Sequence, residues 1–357
     1  MRDISMSSRI ALFCRLTLAG PWKRRVLSAS LALLIASGAG LSARSIFAQK
    51  TPLPPDRTKY ALIISGISGD ENYAGVFNGW KSRLERALID RLGFAPEQIA
   101  ILTEKPTGTE RKATAAEIAR TLGELLSFVG PGRQIFIFML GHGSFDGEVA
   151  RYNLPGPDLN AREFAELVRP LTAERLVIVN MTSASGEYLK LLNGPGRVVI
   201  TATRSGMEQN APRFAEHFIT ALEKPEADLD RNRRISLLEA FEYATKQTAA
   251  VYEKSGRLVS EHALLDDNGD GVGHPQAEAD DGGLAKITYL DSLPQQQAGG
   301  DPELVRLFEE RLRLEGAIEQ LKSGKSRQPA GEYASSLEKL LLELARLNRT
   351  IRARQKK

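Results

Sequence analysis

The sequence predicts an α/β fold in which a mostly parallel sheet is flanked by helices and followed by a C-terminal α-helical hairpin. Two short apolar runs, 135–139 and 176–179, contain no polar residue. Such runs are typical of strands that are buried on both faces of a parallel sheet. With 42% hydrophobic residues among 357, the chain can also fill a sizeable core.

Strand-like and helix-like segments alternate from residue 60 to residue 252, which is the pattern of a parallel sheet covered by helices. Apolar runs predict strands at 60–67, 99–103, 135–139, 176–179 and 198–202. Helical spacing of apolar residues predicts helices at 78–92, 114–128, 161–168, 186–192, 212–222 and 237–252. Thr114 provides an N-cap for the second of these helices.

The segment 301–354 has a different pattern. Asp301-Pro302 begins a helix, and a second helix follows a Gly/Pro-containing turn at 323–331. Both helices keep a seven-residue spacing of apolar side chains: Leu304, Leu307, Leu314, Ile318 and Leu321 in the first, and Leu337, Leu340, Leu344, Leu347 and Ile351 in the second. Two heptad helices joined by a short loop predict an antiparallel hairpin. The helices can pack on one another, on the core domain, on a partner helix or on a second chain, and we expect packing on one another.

Residues 1–48 have the features of a secretory signal peptide. Lys23-Arg24-Arg25 precedes an apolar segment that ends near Ala43, and Ala48 provides a cleavage site. Cleavage would give an exported protein, periplasmic or secreted, that begins with a Pro-rich linker at 49–58. The alternative is an uncleaved membrane anchor, although about 18 apolar residues diluted with Ser and Gly are marginal for spanning a bilayer.

The leader also holds the only cysteine, Cys14, and much of the positive charge. After its removal the chain has no thiol, so disulfides, thiolate ligands and a thiolate nucleophile are all excluded. The leader contains seven of the 48 basic residues and one of the 44 acidic residues. The remaining chain therefore has 41 basic and 43 acidic residues, a net charge of −2 that gives no indication of nucleic-acid binding.

Two of the predicted strands end in turns that carry chemically useful side chains. The run 135–139 is followed by Leu140-Gly141-His142-Gly143-Ser144, and the run 176–179 leads into Asn180-Met181-Thr182-Ser183-Ala184-Ser185-Gly186. The carboxyl ends of parallel strands share one edge of the sheet, where open α/β sheets build their sites. A histidine on one turn and a hydroxyl on the next predict a two-residue hydrolytic site.

This arrangement resembles the caspase–legumain superfamily. In its legumain-like asparaginyl endopeptidases, one strand ends in His-Gly-Ser, which carries the base, and the next ends in Ala-Cys-Glu-Ser-Gly, which carries the nucleophile. Matching the Ser-Gly pairs places Ser185-Gly186 on the family's Ser-Gly, Ala184 on its Glu and Ser183 on its Cys. Gly66-Ile67-Ser68-Gly69 and Asn72-Tyr73 are similar to the family's Gly-Ser-Asn-Gly and Asn-Tyr near the end of the first strand.

The resemblance spans residues 60–252 and implies a caspase-like, mostly parallel sheet for the domain at 59–295. It also implies descent from cysteine endopeptidases that cut after selected side chains. In this chain the implied roles are general base for His142, nucleophile for Ser183 and part of the oxyanion hole for the N–H of Gly143.

Serine at the cysteine position bears directly on activity. A serine hydroxyl is far more basic than a thiol, so it normally needs a histidine that is oriented by a carboxylate. Asp146 is the acid nearest to His142 in the chain before the next strand. We expect a pseudo-peptidase that keeps a cleft for a peptide or protein ligand, and the alternative is an active Ser/His peptidase or hydrolase.

Residues 228–239 match the spacing of an EF-hand calcium loop. The ligand positions are filled by Asp228, Asp230, Asn232, Arg234 (through its carbonyl), Ser236 and Glu239. The sixth position, where EF-hands need glycine, is Arg233. We expect weak binding of calcium or a similar hard cation, and the alternative is a solvated acidic cap on the helix that follows.

A second acidic loop occupies residues 266–271. Asp266, Asn268 and Asp270 alternate along it, and Gly271 supplies a turn. The twelfth position is Ala277, with Glu278 one residue late. The loop is therefore either half of a calcium site completed by other groups or a polar turn. Export favours calcium because this ion is more abundant outside the cytosol, and no organic cofactor is expected.

Overall fold

The computed structural model describes residues 55–232, 234–277, 281–291, 298, 301–323, 325 and 328–355. The chain divides into two units, Met1–Lys50 and Thr51–Lys357. The predicted signal peptide, most of the predicted linker, Arg233 and Glu278 lie outside the described residues. None of the helices that are described is both long enough and apolar enough to cross a membrane.

A seven-stranded sheet forms the centre of the second unit, in the order β10-β9-β8-β4-β1-β2-β3. A smaller sheet follows the order β5-β6-β7. The strands are β1 (Lys59–Ser65), β2 (Ile99–Thr103), β3 (Arg111–Lys112), β4 (Gln134–Leu140), β5 (Gly143–Phe145), β6 (Ala150–Tyr152), β7 (Leu159–Asn160), β8 (Arg175–Asn180), β9 (Arg197–Thr201) and β10 (Leu264–Asp266). All neighbours in the large sheet are parallel except β10, which is antiparallel to β9. The predicted α/β class with a mostly parallel sheet is confirmed.

Helices cover both faces of the large sheet. They are α1 (Glu71–Arg86), α2 (Ala115–Leu125), α3 (Ala161–Val168), α4 (Gly186–Leu192), α5 (Phe214–Glu223), α6 (Leu237–Lys254), α7 (Gly283–Lys286), α8 (Pro302–Ser323) and α9 (Ala330–Gln355). Side chains of α1, α5, α6 and α7 share one core cluster, and those of α2, α3 and α4 share the other.

Strand β4 shows why its sequence is apolar throughout. Phe136 and Phe138 point into the first core cluster, whereas Ile135 and Ile137 point into the second. All four side chains are fully buried. Because successive side chains of a strand point to opposite faces, a strand between two helical layers has no solvent-facing position.

Two departures from the predicted elements have local causes. Helix α1 begins at Glu71 rather than at residue 78, because the carboxylate of Asp70 accepts a hydrogen bond from the N–H of Tyr73 at 2.8 Å and caps the helix. Strand β10 was not predicted, because its apolar part is two leucines that run directly into Asp266. It owes its strand conformation to pairing with β9.

The C-terminal helices α8 and α9 pack against one another, and α8 also contacts α7. The Nε of Arg354 lies 2.6 Å from a carboxylate oxygen of Asp301, so the end of α9 lies beside the residue that precedes α8. Leu304 and Phe308 form a small apolar cluster with Ile351. These contacts place α8 between α7 and α9.

Residues 289–291 contact both the beginning of β1 and the acidic loop at 228–239. Lys59, at the start of β1, is only 4% exposed. Its ammonium donates to the Leu290 carbonyl at 2.8 Å and to that of Asp291. The guanidinium of Arg234 donates to both carboxylate oxygens of Asp291 and lies 3.6 Å from the ring centroid of Tyr289.

Candidate functional site

His142 lies just beyond the carboxyl end of β4. The preceding residue, Gly141, has a φ of +127°, and a Cβ there would lie 3.2 Å from the backbone nitrogen of Gly66. Glycine is therefore needed at this position, both for its conformation and for the close approach of the β1 end. The turn leaves the imidazole of His142 half-buried at the edge of the sheet.

The imidazole packs against α1. Its ring centroid lies 4.6 Å from that of Tyr73 and 5.0 Å from that of Phe77, both in edge-to-face geometry. Burial lowers the pKa of His142 below 6.5, while a hydrogen bond with the Ser68 backbone and the negative charge of Asp70 act in the opposite direction. Because a carbonyl acceptor favours the protonated ring, the partner on Ser68 is its C=O. The ring is therefore neutral at pH 7 and oriented by the main chain.

Ser68 is itself held by a carboxylate. Its N–H donates to Oε2 of Glu104 at 3.1 Å, and its hydroxyl donates to the same oxygen at 2.7 Å. Glu104 thus fixes the backbone segment that presents the carbonyl to His142. Sequence reasoning missed Glu104, because it lies 36 residues from Ser68 in the chain and belongs to no motif.

Ser183 lies in the turn after β8 and is closed off from solvent. Its side chain is 1% exposed, and its Oγ has no hydrogen-bond partner within the described part of the chain. No hydrogen bond joins it to His142. The next residue, Ala184, has a left-handed φ of 55°, and its N–H donates to the Glu208 carbonyl at 2.9 Å. The turn is therefore held in a conformation that non-glycine residues rarely adopt.

The two turns nevertheless touch through Gly143. A Cβ on this residue would lie 2.2 Å from the carbonyl oxygen of Ser183, so only glycine fits. The structure thus places His142, Gly143 and Ser183 at one edge of the sheet.

The N–H of Gly143 is not used by the small sheet. The Asn153 N–H donates to the His142 carbonyl at 3.1 Å, and Gly143 lies opposite Tyr152 in the β5–β6 register. This combination makes Gly143 and Tyr152 a pair that does not exchange main-chain hydrogen bonds. The Gly143 amide is therefore not paired with β6, and the residue is buried.

A hydroxyl pair anchors the turn after β8 to the end of β9. The Oγ of Ser185 and the Oγ1 of Thr203 are 3.1 Å apart, and the Gly186 N–H donates to the same Thr203 oxygen at 3.0 Å. A Cβ on Gly186 would lie 2.3 Å from the backbone of Arg204. The Ser-Gly pair that carries the family resemblance therefore has a packing role in this chain.

The charged side chains near the two turns, Asp146 and Arg204, form ion pairs with other residues. The carboxylate of Asp146 accepts from the N–H groups of Glu148 and Val149 and pairs with Arg151 at 2.6 Å. These donors lower its pKa, and none of them is His142. Arg204 pairs with Glu208 at 3.1 Å. No carboxylate is hydrogen-bonded to His142 among the described residues.

In the loop 228–239 three carboxylates converge. One ligand oxygen from each of Asp228, Asp230 and Glu239 lies within 4.8 Å of the others. Glu239 also closes a capping box with Ser236, and its other oxygen accepts from the N–H groups of Leu229 and Asp230. Such convergence of oxygens is the donor set that a hard cation prefers.

Of the other predicted ligands in this loop, Asn232 lies beside the three carboxylates, whereas the side chain of Arg234 points away from them. The side-chain amide of Asn232 donates to Asp230 at 2.8 Å, so Asn232 stays close to the carboxylates. The N–H of Arg234 donates to the Asn232 side chain at 2.8 Å, whereas its guanidinium binds Asp291. Only its carbonyl is left for the role that the sequence predicted.

The second acidic loop is satisfied by backbone amides. Asp266 accepts from Gly269 and Gly271, each at 2.9 Å. Asn268 accepts from the N–H of Asp270, and Asp270 from that of Val272, both at 2.8 Å. Within the described residues, the carboxylates that converge are those of the first loop. These amide contacts hold the side chains of the second loop in place.

Two further carboxylates support that turn. Asp267 accepts from the N–H groups of Gly282 and Ala285, and burial raises its pKa to about 6. Asp281 accepts from the N–H of Asp267 at 3.1 Å and lies 2.5 Å from the imidazole of His274. No sequence motif predicts the role of Asp281.

A cavity of about 340 Å³ lies away from the His142 turn. It is bounded by Asn232 and Tyr289, by Ile287 after α7, and by side chains of α8 and α9. It therefore belongs to the contact between the acidic loop and the C-terminal helices.

No known family model matches this chain, and no curated protein matches it at a significant level.

Proposed function

We propose that the protein is an exported, caspase–legumain-like pseudo-peptidase, whose sheet edge binds a peptide or protein ligand without hydrolysing it. The observation that carries this proposal is the state of Ser183. Its hydroxyl is 1% exposed and has no hydrogen bond to His142. A serine nucleophile needs contact with its base, and the base in turn needs a carboxylate.

The fold supports the same proposal at a coarser level. The histidine and serine turns follow the adjacent parallel strands β4 and β8, and β1 with Ser68 lies on the other side of β4. The resemblance implies a histidine turn and a nucleophile turn after consecutive strands, and the positions of β4 and β8 are consistent with it. The proposal includes an antiparallel hairpin formed by helices α8 and α9. The Asp301–Arg354 ion pair supports it.

Apolar side chains around the sheet edge favour a peptide ligand. Tyr73 on α1 is exposed beside His142, and Val76 is exposed on the same helix. Met207 is 75% exposed in the segment after β9. That segment packs on the Ser183 turn, because the Glu208 carbonyl accepts from the Ala184 N–H. The amide of Gly143, which is not paired with β6, would add a donor for a peptide carbonyl.

An active Ser/His hydrolase is the second candidate. The observations that favour it are the neutral state of His142 and the fixed Glu104–Ser68 support behind it. A ligand that displaces the turn after β8 would expose Ser183 to this base.

A fluorophosphonate probe and a mixed peptide library distinguish the two functions. We expect no covalent labelling of the purified protein and no cleavage of the library, while peptides with apolar side chains are retained. Ser183→Ala should leave this retention unchanged, because the hydroxyl contributes no contact. Labelling that disappears in both Ser183→Ala and His142→Ala would establish the hydrolase. Loss of peptide binding in Ser183→Ala would contradict a ligand-binding cleft in which the Ser183 hydroxyl has no role.

The proposal includes weak calcium binding at Asp228, Asp230, Asn232, Ser236, Glu239 and the Arg234 carbonyl. It is supported by the convergence of the three carboxylates. A ligand that binds only the folded state raises the melting temperature. We expect millimolar calcium to raise it in the unchanged protein and in Asp270→Asn, but not in Asp228→Asn. An equal response of all three proteins, or no response, would overturn this assignment.

A further inference from the structure

The chain after β9 contacts the Ser183 turn through residues 204–209, the post-β9 segment. The Glu208 carbonyl of this segment accepts from the Ala184 N–H at 2.9 Å. Both Ser183 and Ala184 are only 1% exposed. The segment therefore lies against a turn whose side chains are closed off from solvent.

Two further contacts fix the post-β9 segment to neighbouring elements. The N–H of Gly206 donates to Oε1 of Glu187 on α4 at 2.9 Å. The side-chain amide of Gln209 donates to the Phe145 carbonyl on β5 at 3.0 Å. The Phe145 ring also packs closely on Gly206, where a Cβ would lie 2.3 Å from the ring. The segment is thus attached to α4 and to the small sheet as well as to the turn.

The carboxylate of Glu208 gathers donors from two stretches of the chain. One of its oxygens accepts from the N–H groups of Arg204 and His262, each at 3.0 Å. The other lies 3.1 Å from the Nε of Arg204 and 2.5 Å from the Nδ1 of His262. The Glu208 side chain is 11% exposed. Because four donor groups converge on one ionised acceptor that is shielded from water, this carboxylate is the firmest attachment of the post-β9 segment.

The turn beneath the segment carries two costs that would be relieved if the segment moved away. Ala184 has a left-handed φ of 55°, a conformation that persists only where the surroundings impose it. The Ser183 hydroxyl is buried without a hydrogen-bond partner among the described residues, whereas water would satisfy it in an open turn. The turn by itself therefore favours opening, and the contacts of the post-β9 segment hold it closed.

We propose that the post-β9 segment is a cover over Ser183 that the Glu208 carboxylate keeps closed. Releasing this carboxylate from its donors frees the carbonyl that holds Ala184, so the turn relaxes and Ser183 becomes accessible. Met207 projects from the cover and is 75% exposed, so a ligand at the sheet edge contacts the cover directly. The inference rests on the proposed function, because it describes how access to the same sheet edge is regulated.

Alkylation of Ser183→Cys in a full-length Cys14→Ser chain measures access to this position. Under the closed cover the thiol should react slowly with iodoacetamide. Adding Glu208→Ala should accelerate the reaction about tenfold or more, because the rate follows the population of the open form. Glu208→Gln keeps an acceptor but loses the charge, so it should accelerate the reaction to a smaller extent. With Ser183 unchanged, hydrogen exchange of the Ala184 N–H should also be faster in both Glu208 variants.

Glu261→Ala is the matched control for a general loosening of the fold. Glu261 is another buried carboxylate, and it accepts from the N–H groups of Arg213 and Phe214. These donors lie at the start of α5 rather than in the post-β9 segment. The control should lower the melting temperature but leave the alkylation rate at position 183 unchanged, when all proteins are assayed well below their melting temperatures.

Two results would overturn the cover. One is an alkylation rate that neither Glu208 variant changes, and the other is an equal acceleration by Glu261→Ala. The rates do not depend on whether the edge binds peptides. Failure of the unchanged protein to retain peptides would therefore refute the proposed function and leave the effect of Glu208→Ala in place.

Discussion

Single side chains decide which chemistry the sheet edge can support. The imidazole of His142 is neutral and bonded to the main chain at Ser68. The hydroxyl of Ser183 and the side-chain amide nitrogen of Asn180 are both buried without a hydrogen-bond partner among the described residues. A base and a hydroxyl are therefore adjacent in the fold but are not connected by a proton path.

Ser183→Cys tests whether the surroundings of this position are still those of a nucleophile. We expect the introduced thiol to react with iodoacetamide much more slowly than free cysteine, because burial shields it and raises its pKa. Peptide mapping would separate this reaction from any at Cys14. Rapid alkylation that His142→Ala suppresses would reveal a working dyad and contradict the pseudo-peptidase proposal.

Glu104→Ala tests the support of His142. Removing the carboxylate frees the Ser68 backbone and takes away a negative charge, and both changes disfavour the imidazolium form. We therefore expect the pKa of His142, already below 6.5, to fall further. NMR titration of the ring, assigned by comparison with His142→Ala, measures it. Glu104→Gln keeps an acceptor for Ser68, so the pKa of His142 in this variant should lie between those of the unchanged protein and Glu104→Ala. Equal pKa values in all three proteins would refute the proposed support of His142 by Glu104.

Secondary structure elements show where sequence patterns were sufficient and where they failed. The runs that became β4 and β8 were predicted because both faces of each strand are buried. Strand β10 and the small sheet were missed, since pairing partners distant in sequence determine them. Asp146 was the acid nearest to His142 in the chain, but an Asx-type turn directs its carboxylate toward Arg151.

Arg234→Met tests the connection between the acidic loop and residues 289–291. The guanidinium is 7% exposed and donates to both oxygens of Asp291, whose side chain is 12% exposed. Its removal breaks a buried ion pair and leaves the Asp291 carboxylate without its hydrogen-bond donor, which typically costs about 3–5 kcal/mol of folding free energy. Urea unfolding would measure the loss, and R234M/D291N should recover part of it. A loss below about 1 kcal/mol would indicate a solvated pair.

The molecule as a whole depends on contacts that join the beginning of the domain to its end. The buried ammonium of Lys59 is satisfied by main-chain carbonyls at residues 290 and 291, which lie 231 and 232 positions later. No local pattern could have predicted this contact, because a lysine at the start of a strand is ordinarily solvated. The positions of Glu104 and Asp281 escaped prediction for the same reason.

Truncation after residue 288 tests this dependence. The shortened chain keeps the large sheet and helices α1–α7, but it loses every acceptor for Lys59 except Asp56, which lies 3.4 Å away. We expect it to lose cooperative thermal unfolding, because an incompletely paired buried charge is strongly destabilising. Lys59→Met in the truncated chain should restore part of the transition. A truncated chain as stable as the full one would show that residues 289–291 contribute little to stability.

The contact between Lys59 and residues 290–291 also bears on the order in which the chain folds. Synthesis runs from the amino terminus, so β1 emerges early, whereas the carbonyls that receive Lys59 emerge more than two hundred residues afterwards. Until then the ammonium of Lys59 lacks these two acceptors. For a protein that we propose to be exported, this buried contact becomes complete only after residue 290 of 357 has been made.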